Sequence, residues 1–187
     1  MVLTAQTYEE FALADPERKW ELYDGKLREK PPMTARHSRL MYGLDRQLMF
    51  QLDGTEYEIR IDSGRARHSS RNYFMPDVMV VPVAVVESLM DLPNRLDLYI
   101  APVPFIAEVW SPSTGDCDVE DKLPLYQERG DLEIWRVHPL ALDVIAWRRQ
   151  PDGSYTTERF AGGRVALHAL PNVTIDLDQL FGLVTPK

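Results

Sequence analysis

The chain has 187 residues, 44% hydrophobic, 27% charged and 10% aromatic, which is ordinary globular content and excludes a disordered, collagenous or low-complexity chain. No apolar run approaches the ~20 residues of a membrane helix, and the polar, acidic start carries no secretory signal pattern, so neither is expected. The net charge of −8 argues against a protein that coats nucleic acid non-specifically, which requires basic residues to displace counterions, but leaves room for an enzyme with a local basic patch.

In chain order, Thr4 or Thr7 caps a short helix over 7–15, with Tyr8, Phe11 and Ala12 on one face. WELYDGKLRE reads as two short strands about an Asp24-Gly25 turn, and Pro31-Pro32 breaks regular structure. A helix runs from Ala35 to about Leu52. His37, Met41, Leu44 and Leu48 form its inner stripe, widened by Leu40 and Leu52, with Arg36, Arg39 and Arg46 on another, solvated side. Asp53-Gly54 ends it. Residues 55–67 alternate as one strand, and Gly64 to Asn72 form a basic loop or hairpin end. Met75 to Val81 is a strand closed by Pro82, 83–90 a short helix, and Pro93-Asn94 a turn. Residues 103–110 are nearly all apolar, as in a strand buried on both faces. A helix over 118–129, ended by Gly130, and a strand over 132–137 complete a βαβ unit with a right-handed crossover. Segments 142–148 and 154–160 make a hairpin about Pro151-Asp152-Gly153, and DLDQLFG a last short helix. No repeat or linker interrupts the pattern, so residues 1–187 are expected to form a single domain.

The sequence has no CxxC, HExxH, Walker A, GxGxxG or GxSxG motif. Its one cysteine, Cys117, reads as a small residue beside a helix start; it can form no intrachain disulfide, which fits the cytoplasm. The unusual residues are acids inside apolar strands: Asp77 before VMVV, and Glu108 in FIAEVW. A buried carboxylate is costly unless it is paired or bound to a metal. Each acid therefore has two readings, a salt bridge or cap, and an oxygen ligand for a hard cation such as Mg²⁺. Asp118, Lys122 and Tyr126 share one helix face, which is either an exposed Asp118–Lys122 ion pair or an inner face packed on the sheet.

WELYDGKL, His37 in a helix, PDVMVV, EVWSPST, D-x-x-x-K-L-x-x-Y and G-x-x-E-I-W occur here in that order. Together they resemble the Uma2 family, also called DUF820, of restriction-endonuclease-like proteins with the PD-(D/E)xK nuclease fold. The resemblance runs from about residue 5 to 185. It implies an α/β (α+β) fold with a restriction-endonuclease-like core, a central mixed sheet flanked by helices, and Asp77 and Glu108 on adjacent strands. It further implies a metal-dependent endonuclease that hydrolyses phosphodiester bonds of DNA. By that resemblance Asp77 and Glu108 hold Mg²⁺ or Mn²⁺, with the Val109 main-chain carbonyl completing the shell, and Glu21, His37 and Lys122 join them as the catalytic set. The usual nuclease pattern puts the lysine two residues after Glu108, where this chain has Trp110; the family pattern moves it to Lys122. Pro124 makes that helix start late or bend. Glu21 has a second reading as a strand-edge charge, and His37 as a satisfied buried histidine. Arg36 and Arg39, with Arg46, and Arg65, Arg67 and Arg71 are candidates for DNA contact or plain solvated surface; as contacts they should face the same side as the two acids. A homodimer is expected, since cutting both strands takes two sites, with LDQLFGLV either its interface or a cap on its own core. The acidic charge and Trp110 support an alternative, a nuclease-fold protein with a binding, regulatory or assembly role; hydrolysis of another phosphate ester is a third.

Overall fold

Thr4 caps α1 (Ala5–Ala14) by accepting from the Thr7 N–H, and Tyr8 and Ala12 form its buried face. Asp24 and Gly25 both take positive φ, 47° and 75°, the geometry of a tight two-residue hairpin turn. They join β1 (Trp20–Tyr23) to β2 (Lys26–Glu29). A computed structural model provides the structure, which describes residues 2–92, 94–113 and 118–183. Cys117 and Pro93 lie outside the described residues.

The fold is mixed α+β, with helices flanking mixed sheets. The expected central mixed sheet is the six-stranded one, in which β6 and β8 are neighbours, and a second sheet lies beside it in the chain's topology. A six-stranded sheet has the order β11-β10-β9-β8-β6-β3, and a five-stranded sheet the order β2-β1-β5-β4-β7. Here β3 is Tyr57–Ile61, β4 Arg65–Ser69, β5 Asn72–Phe74, β6 Val78–Pro82, β7 Leu98–Tyr99 and β8 Phe105–Val109. The later strands are β9 (Glu133–His138), β10 (Asp143–Arg149) and β11 (Tyr155–Phe160), and β12 (Arg164–Ala166) pairs with β13 (Thr174–Asp176) in a separate two-stranded sheet.

The division falls inside the segment read as one strand over 55–67. Asp62 (φ 45°) and Gly64 (φ 72°) turn the chain there, sending β3 to one sheet and β4 to the other. Only glycine fits at 64: a Cβ would come 2.7 Å from the Tyr99 ring. The basic stretch that follows is the β4–β5 hairpin rather than a loop.

Helix α2 (Ala35–Met49) is capped by Thr34 and buries His37, Leu40, Met41, Leu44 and Leu48. It stops short of Leu52, whose N–H closes a final turn on the Leu48 carbonyl. This stripe packs on Val78, Val80, Phe105, Ala107 and Val109. The opposite face of the same strands, Met79, Val81 and Ile106, packs on Val86 of α3 (Val83–Met90) and on Leu123 and Tyr126. All five residues of β8 are buried, as its apolar run requires.

The predicted helix over 118–129 has two parts, a π-helical turn (Asp118–Lys122) and α4 (Leu123–Arg129). Pro124 sits in the first turn of α4, where the missing N–H breaks no helical bond, and left-handed Gly130 (φ 85°) ends the helix. The βαβ unit forms as expected, with β8 and β9 parallel. In α5 (Leu177–Phe181), Leu177 and Leu180 are buried in this chain's own core, so they cap it rather than face outward. Among the described residues no helix is long and apolar enough to cross a membrane.

Candidate active site

The register that pairs Val78 of β6 with Ala107 of β8 continues one step to set Asp77 against Glu108. The strands therefore bring the two anomalous acids to the same end of the six-stranded sheet, where Asp77 Oδ2 accepts the Val109 N–H at 2.7 Å. The β1–β2 hairpin of the other sheet contributes Glu21, whose Oε1 accepts the Met75 N–H at 2.8 Å. Glu21 is thus buried and fixed, not a strand-edge charge.

Lys122 joins these acids. Its Nζ lies 3.2 Å from Glu108 Oε1 and 3.2 Å from Glu21 Oε1. The π-helical turn ends at Lys122, whose side chain is only 5% exposed, so the reading of an exposed lysine is overturned; the Asp118 side chain lies outside the described residues. Tyr126, one turn on, donates its hydroxyl to Glu108 Oε1 at 2.7 Å. Burial and the neighbouring Glu108 charge push the Tyr126 phenol well above its ordinary pKa, so it remains a donor. Trp110, in the usual lysine position, is stacked on His138 with ring centroids 4.4 Å apart.

His37, in the first turn of α2, places Nε2 2.9 Å from Asp77 Oδ2. Lys30, which sequence reasoning missed, places Nζ 2.7 Å from Asp77 Oδ1. Burial by itself would raise the Asp77 pKa, but the Lys30 ammonium and then His37 outweigh it and hold the carboxyl well below the usual range. Burial likewise works against the Lys30 charge, yet the nearby Asp77 and Glu108 carboxylates push its pKa above the ordinary value. Asp62 completes this group through Lys30 and Lys19.

Glu21, Lys30, His37, Asp77, Glu108, Val109 and Lys122 all line one cleft of about 340 Å³. Every catalytic and metal candidate named from the sequence is in it. The arginines are not. Arg65 is a correction: it is buried, and its Nε donates to the Tyr8 hydroxyl at 2.9 Å, so it is not open to a phosphate. Arg67 lies over the Tyr73 ring and donates to the Ser69 carbonyl, and Arg71 pairs with Asp24 at the hairpin tip. Arg36 reaches the Pro139 carbonyl, and neither it nor Arg39 lines the cleft. The arginine at the cleft wall is Arg28, which pairs with Asp121 at 2.8 Å. Nothing local marks Lys30 or Arg28 in the sequence, since a cation near a strand end is ordinary.

The donors near Asp77 suit a hard divalent cation in kind: two carboxylates and a strand-end carbonyl, all oxygen. Among the described residues no group of three or more His, Cys, Asp and Glu side chains is gathered as a metal shell. Asp77 and Glu108, with the Val109 carbonyl, are the oxygen donors of this cleft that could hold one.

Fold and cleft define the class, an α+β protein of nuclease-like fold with acids at the ends of two central strands and a lysine brought to them by the π-helical turn. A solved structure described as "a putative nuclease belonging to DUF820", from Anabaena variabilis ATCC 29413, has the same fold: TM-score 0.72 and 17% identity, covering 89% of this chain and 91% of that one. The profile of the family described as "Uma2: Putative restriction endonuclease" matches residues 5–178, and the chain belongs to the Uma2 family. It is also 30% identical over 134 residues to the uncharacterized protein sll1609 of Synechocystis sp. (strain ATCC 27184 / PCC 6803 / Kazusa), across 70% of this chain and 69% of that one.

Proposed function

We propose that this protein is a metal-dependent endonuclease that hydrolyses phosphodiester bonds of DNA in the cleft of Asp77, Glu108 and Lys122. The observation that carries this reading is Lys122, buried and bridging Glu21 and Glu108 in the cleft that also holds Asp77. Asp77, Glu108 and the Val109 carbonyl would hold Mg²⁺ or Mn²⁺, which when bound supplies charge neutralisation and an acidified water. Glu21 and Glu108 fix the Lys122 ammonium so that it faces a bound phosphate and steadies developing negative charge. Tyr126 restrains Glu108, and His37 orients the Asp77 carboxylate. Arg28 at the cleft wall offers a contact to a neighbouring phosphate. Action on duplex DNA as a homodimer follows from the need for two cuts.

One observation favours a second reading, a binding or regulatory role without catalysis. Both Asp77 oxygens are already engaged within the chain, by Lys30, His37 and the Val109 N–H. The test is cleavage of plasmid, linear duplex, single-stranded DNA and RNA with Mg²⁺ or Mn²⁺, comparing the native chain with Asp77→Ala. Cleavage by the native chain alone supports the nuclease and names its substrate. No cleavage of any substrate by either protein favours the non-catalytic reading.

A further inference from the structure

Lys30 contacts three oxygens at once and donates a hydrogen bond to two of them. Its Nζ donates to Asp77 Oδ1 at 2.7 Å and to the Met75 carbonyl at 2.8 Å. It also lies 2.8 Å from Asp62 Oδ1, an ion pair in which that buried oxygen accepts no hydrogen bond among the described residues. The ammonium therefore sits between two carboxylates, hydrogen-bonded to one and only adjacent to the other. Its side chain is 8% exposed, so water does not screen this contact.

We infer that Lys30 is a built-in competitor for the divalent cation at Asp77, and that Asp62 is the seat it moves to when a cation enters. The inference rests on the metal reading of the cleft. An ammonium and a divalent ion on one carboxylate oxygen repel each other, so one must give way. Lysine has a flexible stem and three rotatable donors, so it can turn without disturbing the strand β2 that it follows. The Asp62 oxygen beside it is already buried and still lacks a hydrogen bond.

The charges agree with this. Glu21, Asp62, Asp77 and Glu108 face Lys19, Lys30 and Lys122, four carboxylates against three ammonium groups, a formal −1 from these seven side chains. Without Lys30 the group carries −2, the complement of a divalent ion. Lys30 thus offsets one of the acids' charges and sets a threshold for metal entry.

The test is Mn²⁺ binding to the full chain by calorimetry, with folding of each variant checked by circular dichroism. Lys30→Gln keeps a donor and removes the charge; Lys30→Met removes both; Lys30→Arg keeps the charge. Lys30→Gln and Lys30→Met should bind Mn²⁺ at least ~10-fold more tightly than the native chain, because removing a unit positive charge beside the cation in a poorly screened site is worth at least the ~1.4 kcal/mol of a tenfold change. Lys30→Arg should show no such gain. Asp62→Asn should weaken binding, and by less in the Lys30→Gln background, where no ammonium needs the seat. Native and Lys30→Gln proteins of equal affinity would overturn the inference, as would a gain in Lys30→Arg or an undiminished Asp62→Asn loss in Lys30→Gln. If the native chain binds Mn²⁺ and Glu108→Ala does not, but Lys30→Gln gains nothing, the metal reading stands and the Lys30 role falls. If none of these proteins binds Mn²⁺, both fall.

Discussion

Lys122 and Glu108, fourteen positions apart, meet at 3.2 Å in a buried contact that a π-helical turn makes possible. A regular helix from Asp118 would aim residue 122 differently, and π insertions recur where a helix must redirect a side chain. The same carboxylate oxygen takes the Tyr126 hydroxyl, so Glu108 is held by two donors from consecutive turns.

Lys122→Ala should abolish turnover while retaining Mn²⁺ binding, because Lys122 touches the acids rather than replacing one. Cleavage assays paired with calorimetry check this. Unchanged turnover would remove Lys122 from the chemistry.

Tyr126→Phe removes one buried donor from Glu108 and should cost ~1–3 kcal/mol of stability in the metal-free protein. Urea denaturation measures it. The loss should shrink when Mn²⁺ is present, since the cation then compensates the Glu108 charge.

Acid should weaken the fold through Asp77. Its folded-state pKa lies below the ordinary value because Lys30 and His37 outweigh the opposing effect of burial. A carboxyl depressed in this way adds its full stabilisation above its unfolded pKa of ~3.9 and loses it as pH falls through the lower folded value. Stability should therefore decline below about pH 4. Asp77→Asn should decline less steeply, and equal slopes would contradict the assignment.

Gly64→Ala should destabilise by more than ~1 kcal/mol, the usual cost of a left-handed L-residue, with the clash against Tyr99 added. Thermal unfolding reads it directly. Because this turn also sets Asp62, the variant should bind Mn²⁺ more weakly as well.

How far the sequence revealed this molecule depended on how local each signal was. Asp77 and Glu108 were visible because a carboxylate in an apolar strand is anomalous on its own. Lys122 was visible on one helix face with Asp118 and Tyr126, but helical spacing left it either exposed or inward, and only the order of motifs shared with the family singled it out as catalytic. The break at Asp62 was hidden because Tyr57, Ile59 and Ile61 alternate smoothly into it, and alternation carries no mark of a left-handed aspartate. Arg65 looked like a loop arginine because its partner, Tyr8, is 57 positions away. Lys30 was hidden for the same reason: only the packing of the first hairpin over the start of β6 brings it to Asp77.

The most direct measurement is conversion of supercoiled plasmid in Mn²⁺ by the native chain and by Glu108→Gln, purified identically. Glutamine keeps the size of Glu108 and removes the charge that would hold a cation. A metal-dependent nuclease should nick or linearise the plasmid, lose that activity on chelation, and show none as Glu108→Gln. Equal cleavage by the two proteins would contradict this assignment.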